Sequence, residues 1–240
     1  MRVITLDTVG STNSYVASRA GSLGHGDIVM AVEQTAGRGQ RGNSWEAESG
    51  LNLTLSMLLR PSGVEAACQF DISRAVALGT ARMLQSLLPE KKVLIKWPND
   101  IYVDDRKIAG ILIENTLTGR LIERSIAGIG ININQTRFLS DAPNPVSVAQ
   151  LTGLTYTLPP LAERLGEEIL AALGLPAEKL RVEYDSLLWR RDGYHPYRDN
   201  LLHTDIEARI TAIGPMGHLT LTTVSGESRT YAFKEVTALL

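Results

Sequence analysis

Short apolar stretches with strand spacing occupy residues 3–6, 27–34 and 51–59. In the third, Leu51, Leu53, Leu55, Met57 and Leu59 share one face and alternate with Asn52, Thr54, Ser56 and Leu58, which predicts a strand with a largely apolar inward side. Gly10-Ser11-Thr12-Asn13 offers turn and cap residues ahead of a helix ending near Gly21 or Gly24. Helical spacing over 64–88, stopped by Pro89, predicts a long helix lying on the sheet. Strands follow at 93–97, 101–103, 107–115 and 120–134, the last two as a hairpin. Helical segments are expected at 147–151 and 161–189, with Pro159 and Pro160 in the connection and Gly174-Leu175-Pro176 interrupting the second. After Asp192-Gly193 the texture changes to short alternating strands at 206–210, 219–223 and 230–233. The pattern is α+β: a mixed β-sheet covered by helices over residues 1–190, and a small C-terminal β-barrel over 191–240.

With 44% hydrophobic and 21% charged residues, the 240-residue chain has the composition of an ordinary globular protein. Its 24 basic and 26 acidic residues leave a net charge of -2, so no general basic field draws it onto nucleic acid or anionic lipid, and an anion site has to be local. One cysteine, Cys68, excludes an internal disulfide and a thiolate zinc cage. No apolar run reaches membrane-spanning length and no signal-like segment opens the chain, so a cytoplasmic location is expected.

Four segments carry candidate chemistry. Gly37-Arg38-Gly39-Gln40-Arg41-Gly42 matches the letters of a dinucleotide-binding fingerprint, but Asn43-Ser44-Trp45-Glu46 leads toward another strand rather than into a helix facing a pyrophosphate. Glycines let such a loop approach a ligand, and Arg38 and Arg41 can neutralise phosphates; a solvated loop is the plain alternative. Lys96-Trp97-Pro98-Asn99-Asp100 puts a cation, an aromatic and two polar side chains at a strand end, where a β-turn would also suffice. Lys107 opens an otherwise apolar strand in which Gly110 leaves space for a bound ring. In Gly128-Ile129-Gly130-Ile131-Asn132-Ile133-Asn134 the isoleucines take one face, while glycines and asparagines line the other as a floor for a flat ligand or as a close helix contact. There is no serine triad or metal-ligand cluster, so the inventory suits ATP-dependent activation by positioning and charge neutralisation.

These blocks, with Ser11-Thr12-Asn13 ahead of them and Glu33-Gln34-Thr35-Ala36 leading into the arginine loop, resemble the biotin-protein ligase family, and with the β-rich tail the resemblance covers nearly the whole chain. It implies a class II synthetase-like catalytic domain with an SH3-like C-terminal barrel. The implied enzyme is a biotin-[biotin carboxyl carrier protein] ligase, using ATP and Mg2+ to form biotinyl-adenylate from biotin and passing biotin to a carrier lysine of a biotin-dependent carboxylase. It further implies that Ser11, Thr12, Asn13, Gln34, Gly37 and Gly110 contact biotin, and that Arg38, Arg41 and Lys107 serve biotin and catalysis together. Arg38, Gly39, Gln40, Arg41, Trp45, Asn99 and Asn132 fall to the nucleotide, and Asp100 to a metal held largely by the phosphates. Gln40 stands where many relatives carry arginine, which removes one cation that helps retain the adenylate. No helix-turn-helix precedes these blocks, so DNA binding is not expected; a homodimer through sheet edges is compatible. A lipoate ligase and a non-catalytic sensor are the competing readings.

Overall fold

The structure, a computed structural model, describes residues 1–139 and 144–239, with Arg41 described by its backbone alone. Chain order runs β1 (Val3–Val9), α1 (Thr12–Arg19), β2 (Ile28–Gln34), β3 (Leu53–Leu59), α2 (Phe70–Leu87), β4 (Val93–Lys96), β5 (Asp100–Val103), β6 (Arg106–Thr118) and β7 (Leu121–Ile131). Then come α3 (Val148–Thr152), α4 (Leu158–Leu173), α5 (Ala177–Ser186), β8 (His195–Asp199), β9 (Thr204–Ile213), β10 (Leu219–Thr223), β11 (Ser228–Tyr231) and β12 (Val236–Ala238). The first seven strands form one sheet in the order β1-β2-β3-β7-β6-β5-β4, mixed because β1 and β2 are parallel while the other pairs are antiparallel. The α+β expectation and the β6–β7 hairpin both hold.

The main core lies between this sheet and α2 with α4, where Leu53, Leu55, Met57 and Leu59 meet Ile72, Val76, Leu84, Leu165 and Ile169. α1 covers the opposite face through Val16 and Ala20 against Val29, Leu58 and Ile126. β3 is therefore buried on both sides, and its polar positions Thr54 and Ser56 face protein instead of solvent. Two helix starts differ from expectation. Residues 64–66 pair with the opening of β7 through Ala66 N to Arg120 O and Ile122 N to Val64 O, so α2 begins only at Phe70. α4 begins at Leu158 with Pro159 and Pro160 in its first turn, where a missing N–H leaves no helical bond unmade.

The C-terminal strands form a five-stranded antiparallel sheet, β11-β10-β9-β8-β12, around Tyr197, Ala208, Leu219, Leu221 and Tyr231. No ladder between β11 and β12 closes it into a barrel among the described residues. Arg74 in α2 fastens this sheet to the first: it is buried between the Phe70 and Tyr184 rings, pairs with Asp71 at 2.6 Å, and donates to the Ile213 carbonyl at 2.6 Å. The Trp97 indole donates to Gly217 O at 2.8 Å across the same junction. Among the described residues no helix is long and apolar enough to cross a membrane.

Asp27 holds the N-terminal strand. Its carboxylate accepts from the Arg2 and Gly24 backbone N–H groups and from the Arg2 guanidinium, and its side chain is 4% exposed. The Arg2 hydrogen bonds hold its pKa at about 2 against burial, which pushes the other way. A depressed carboxylate stabilises the fold above the unfolded-state value and loses that contribution as pH falls toward the folded value. We expect Asp27→Asn to lower stability by up to about 2 kcal/mol at pH 6, and the gap to close toward pH 2. Urea midpoints at the two pH values check this; an unchanged gap contradicts it.

Candidate active site

A cavity of about 910 Å³ opens on the α1 side of the first sheet and is closed at its far end by the C-terminal sheet, through residues such as Tyr197, Phe233, Lys234 and Thr237. Its near end is built where β2 ends and α1 begins. Gln34 Oε1 accepts from the Thr12 backbone N–H at 2.8 Å and from the Thr12 hydroxyl at 3.1 Å, so the strand end caps the helix. Ser11 sits at the cap position yet makes no capping bond with its side chain, and lines the cavity. Beneath them the Ser56 hydroxyl is within 2.7 Å of Thr12 Oγ1 and 2.5 Å of Asn13 Oδ1, while Asn13 Nδ2 donates to Glu114 Oε2 at 2.8 Å.

Glycines make this packing possible. A Cβ on Gly128 would fall 2.3 Å from Asn13 Oδ1. Gly110 and Gly130 face each other across β6 and β7, and Cβ atoms there would fall 2.8 Å and 2.2 Å from the Trp45 ring. The floor that the sequence suggested for a bound ring, and the space left by Gly110, are thus covered by the protein's own indole. Its Nε1 is buried without a hydrogen-bond partner among the described residues. The Gly37–Trp45 segment delivers that indole as a small hairpin, with an Arg38–Ser44 bridge, Trp45 N donating to Gly37 O, and a single 3-10 turn over Gln40–Gly42 where a dinucleotide site would start a helix.

Charge is concentrated over β4, β5 and β6. Lys107 Nζ lies 2.7 Å from Asp100 Oδ1 and 5.7 Å from the Trp45 ring centre, and its backbone is pinned by bonds to Asn144 and Val146. Arg38 pairs with Glu114 at 3.0 Å; both side chains are half-exposed, so the pair is worth no more than about 1 kcal/mol and can be exchanged for a phosphate. Asn99 Nδ2 donates to Ile111 O and Asn132 Nδ2 to Val146 O, each at 3.0 Å, leaving both Oδ1 atoms without a partner among the described residues. Lys96 donates to the Tyr102 hydroxyl at 2.7 Å, and burial pushes its ammonium below the usual lysine range against the pull of Asp100.

The residues expected at the site, Ser11, Thr12, Asn13, Gln34, Arg38, Gly39, Gln40, Trp45, Asn99, Lys107, Gly110 and Asn132, all line this cavity, as does Asp100. Gly37 stands behind the lining, where a Cβ would meet the Trp45 carbonyl at 3.1 Å. The Arg41 side chain lies outside the described residues. Ser56 and Glu114, which tie Thr12, Asn13 and Arg38 together, were not singled out from the sequence. Their signal was weak: Ser56 is one of two polar positions in β3, and Glu114 ends the apolar run of β6.

The sequence model of the Biotin/lipoate A/B protein ligase family matches residues 6–132, more than half of the chain. The chain belongs to that family. Within it, the chain is 39% identical over 195 residues to the bifunctional ligase/repressor BirA of Escherichia coli, a match covering 80% of this chain and 60% of that protein. It is 37% identical over 148 residues to a biotin--[acetyl-CoA-carboxylase] ligase of Paracoccus denitrificans, covering 60% and 61% respectively. The chain thus spans about three fifths of the length of these two family members. The fold agrees with that of a biotin protein ligase from Aquifex aeolicus in complex with biotin and ATP, with a TM-score of 0.76 over 98% of this chain and 97% of that one at 22% identity. It also agrees with a Leishmania major biotin protein ligase in complex with biotinyl-5-AMP, with a TM-score of 0.61 over 96% and 98% at 22% identity.

Proposed function

We propose that the chain is a biotin-protein ligase: it activates biotin with ATP to biotinyl-5'-AMP and transfers the biotinyl group to a lysine of a biotin carboxyl carrier protein. One observation carries the reading. A single cavity runs from a neutral hydrogen-bonding end at Ser11, Thr12 and Gln34 to a cationic stretch at Arg38 and Lys107. The first end suits a cyclic urea, which offers one acceptor and two donors; the second suits a carboxylate meeting a phosphate. The unengaged Asn99 and Asn132 oxygens can accept from an adenine amino group.

In the first step a biotin carboxylate oxygen attacks the α-phosphorus, and the bond to the bridging oxygen breaks to release pyrophosphate. Lys107 and Arg38 offset the charge that gathers as the two anions meet. In the second, a neutral carrier amine attacks the mixed anhydride carbonyl, loses its proton and expels AMP. Mg2+ would travel on the triphosphate with Asp100 as the carboxylate within reach, since the described residues hold no cluster of three or more metal-ligating side chains. In this reading residues 1–190 carry the chemistry and 191–240 wall the cavity, the setting is cytoplasmic, and β1, an outer strand of the first sheet, offers an edge for a homodimer.

The test is pyrophosphate release from ATP and Mg2+ with biotin, lipoate or neither, followed by mass analysis of an added carrier domain. Biotin-dependent release with covalent transfer is expected. Turnover with lipoate alone overturns the substrate, and biotin binding without release leaves a sensor.

A further inference from the structure

Among the described residues Lys96 is a cation that makes no ion pair with a carboxylate. Its Nζ lies 4.6 Å from the Tyr102 ring centre and 5.4 Å from that of Trp189, and among the described residues its one hydrogen bond runs to the neutral Tyr102 hydroxyl. An ammonium has three donors, so two remain. The nearest carboxylate in register, Asp100, is already paired with Lys107. Asp105 accepts from the Trp189 indole at 2.6 Å. Lys96 and Lys107 therefore flank the single carboxylate of Asp100 in this part of the cavity wall, two cations to one anion, with Asp105 engaged by the Trp189 indole. A desolvated, under-paired cation of this kind calls for an anion.

The sheet order gives that anion a place. Along the cavity the proposed biotin end lies over α1, β2 and β3, Lys107 rises from β6, Asp100 from β5 and Lys96 from β4. Two strand spacings, about 10 Å, separate the strands of Lys107 and Lys96. A displacement at phosphorus places the attacking oxygen and the leaving oxygen on opposite sides. With biotin entering from the β3 side and the α-phosphate at Lys107, the leaving group points toward β4.

We propose that Lys96 is a catalytic residue of the first half-reaction, the cation that receives the β- and γ-phosphates and stabilises the pyrophosphate as the bond from the α-phosphorus breaks. The assignment rests on the ligase reading above. The electron pair of the broken bond goes to pyrophosphate; Lys96 keeps its proton and supplies charge and two hydrogen-bond donors. Tyr102 and Trp189 hold the ammonium in position on its other side.

The test uses calorimetry on the full chain with pyrophosphate and, separately, with biotin. Wild type and Lys96→Arg should bind pyrophosphate, whereas Lys96→Met should bind it at least about 10-fold more weakly with biotin affinity retained; biotin-dependent pyrophosphate release should fall about 100-fold in Lys96→Met and recover in part in Lys96→Arg. The assignment is overturned if wild type binds pyrophosphate no more tightly than Lys96→Met. It is equally overturned if Lys96→Met loses biotin affinity to the same extent, because Lys96 then only props the Tyr102–Trp189 wall. Failure of wild type to bind biotin or to turn over ATP would instead sink the ligase reading itself, before any variant is compared.

Discussion

Replacing Lys107 with methionine should slow biotin-dependent pyrophosphate release about 100- to 1,000-fold while changing biotin affinity far less. The ammonium lies beside Asp100, on a strand whose backbone is tied to the 144–146 segment, so its position needs no reorganisation when the reactants arrive. Two anions have to approach there, and the cation is most valuable when their charges merge in the transition state, which places the loss in turnover. Methionine keeps the stem and removes the charge, and it also leaves the Asp100 carboxylate unpaired beside the incoming phosphate. Lys107→Arg should recover only part of the rate, since a planar fork does not reproduce a point charge. A rate for Lys107→Met within about tenfold of wild type would remove Lys107 from the mechanism.

Gly79→Ala should lower the melting temperature by about 5 °C, an effect on stability with no direct contact to the cavity. Gly79 lies in α2 where α4 crosses it, and a Cβ there would fall 2.7 Å from both the Cα and the N of Ile169. Two effects oppose each other. Alanine is the better helix former by about 1 kcal/mol. The added methyl meets backbone of a neighbouring helix, which cannot rotate away as a side chain can, and overpacking of this kind costs about 1 to 3 kcal/mol or more. We expect the clash to win by about 2 kcal/mol. A thermal melt that is unchanged or shifted upward would show that the α2–α4 contact relaxes more easily than its geometry indicates.

What the sequence made legible follows from how local the signal is. The β6–β7 hairpin was readable because its strands are long and a Leu-Thr-Gly turn lies between them. The Gly128/Gly130 face was readable because a two-residue period survives any change of partner. β8 was missed because His195–Asp199 contains a proline and two charged residues, and its strand character comes from β9 and β12 on either side. The early end of the 64–88 helix prediction has a similar cause, since Val64 and Ala66 find partners in the chain more than 50 residues away. Ser56 read as an outward residue of a half-buried strand, and only α1 lying across β3 turns its hydroxyl into the support of Thr12 and Asn13. Lys96 went unassigned because Trp189, which with Tyr102 flanks its ammonium, lies more than 90 residues further along the chain.

The indole seated on Gly110 and Gly130 makes the free protein a competitor of its own ligand. A flat ring that is to lie on those glycines enters only those molecules whose Trp45 has swung aside, so the affinity measured is the intrinsic affinity multiplied by the fraction in that state. Substitutions that never touch a ligand can then tighten binding by weakening the indole's seat, for example at Gly37, where an added Cβ would press on the Trp45 carbonyl. With Trp97 and Trp189, the other two tryptophans of the chain, replaced by phenylalanine, the same ring becomes a lone fluorophore inside the site, and its emission should change as the cavity fills.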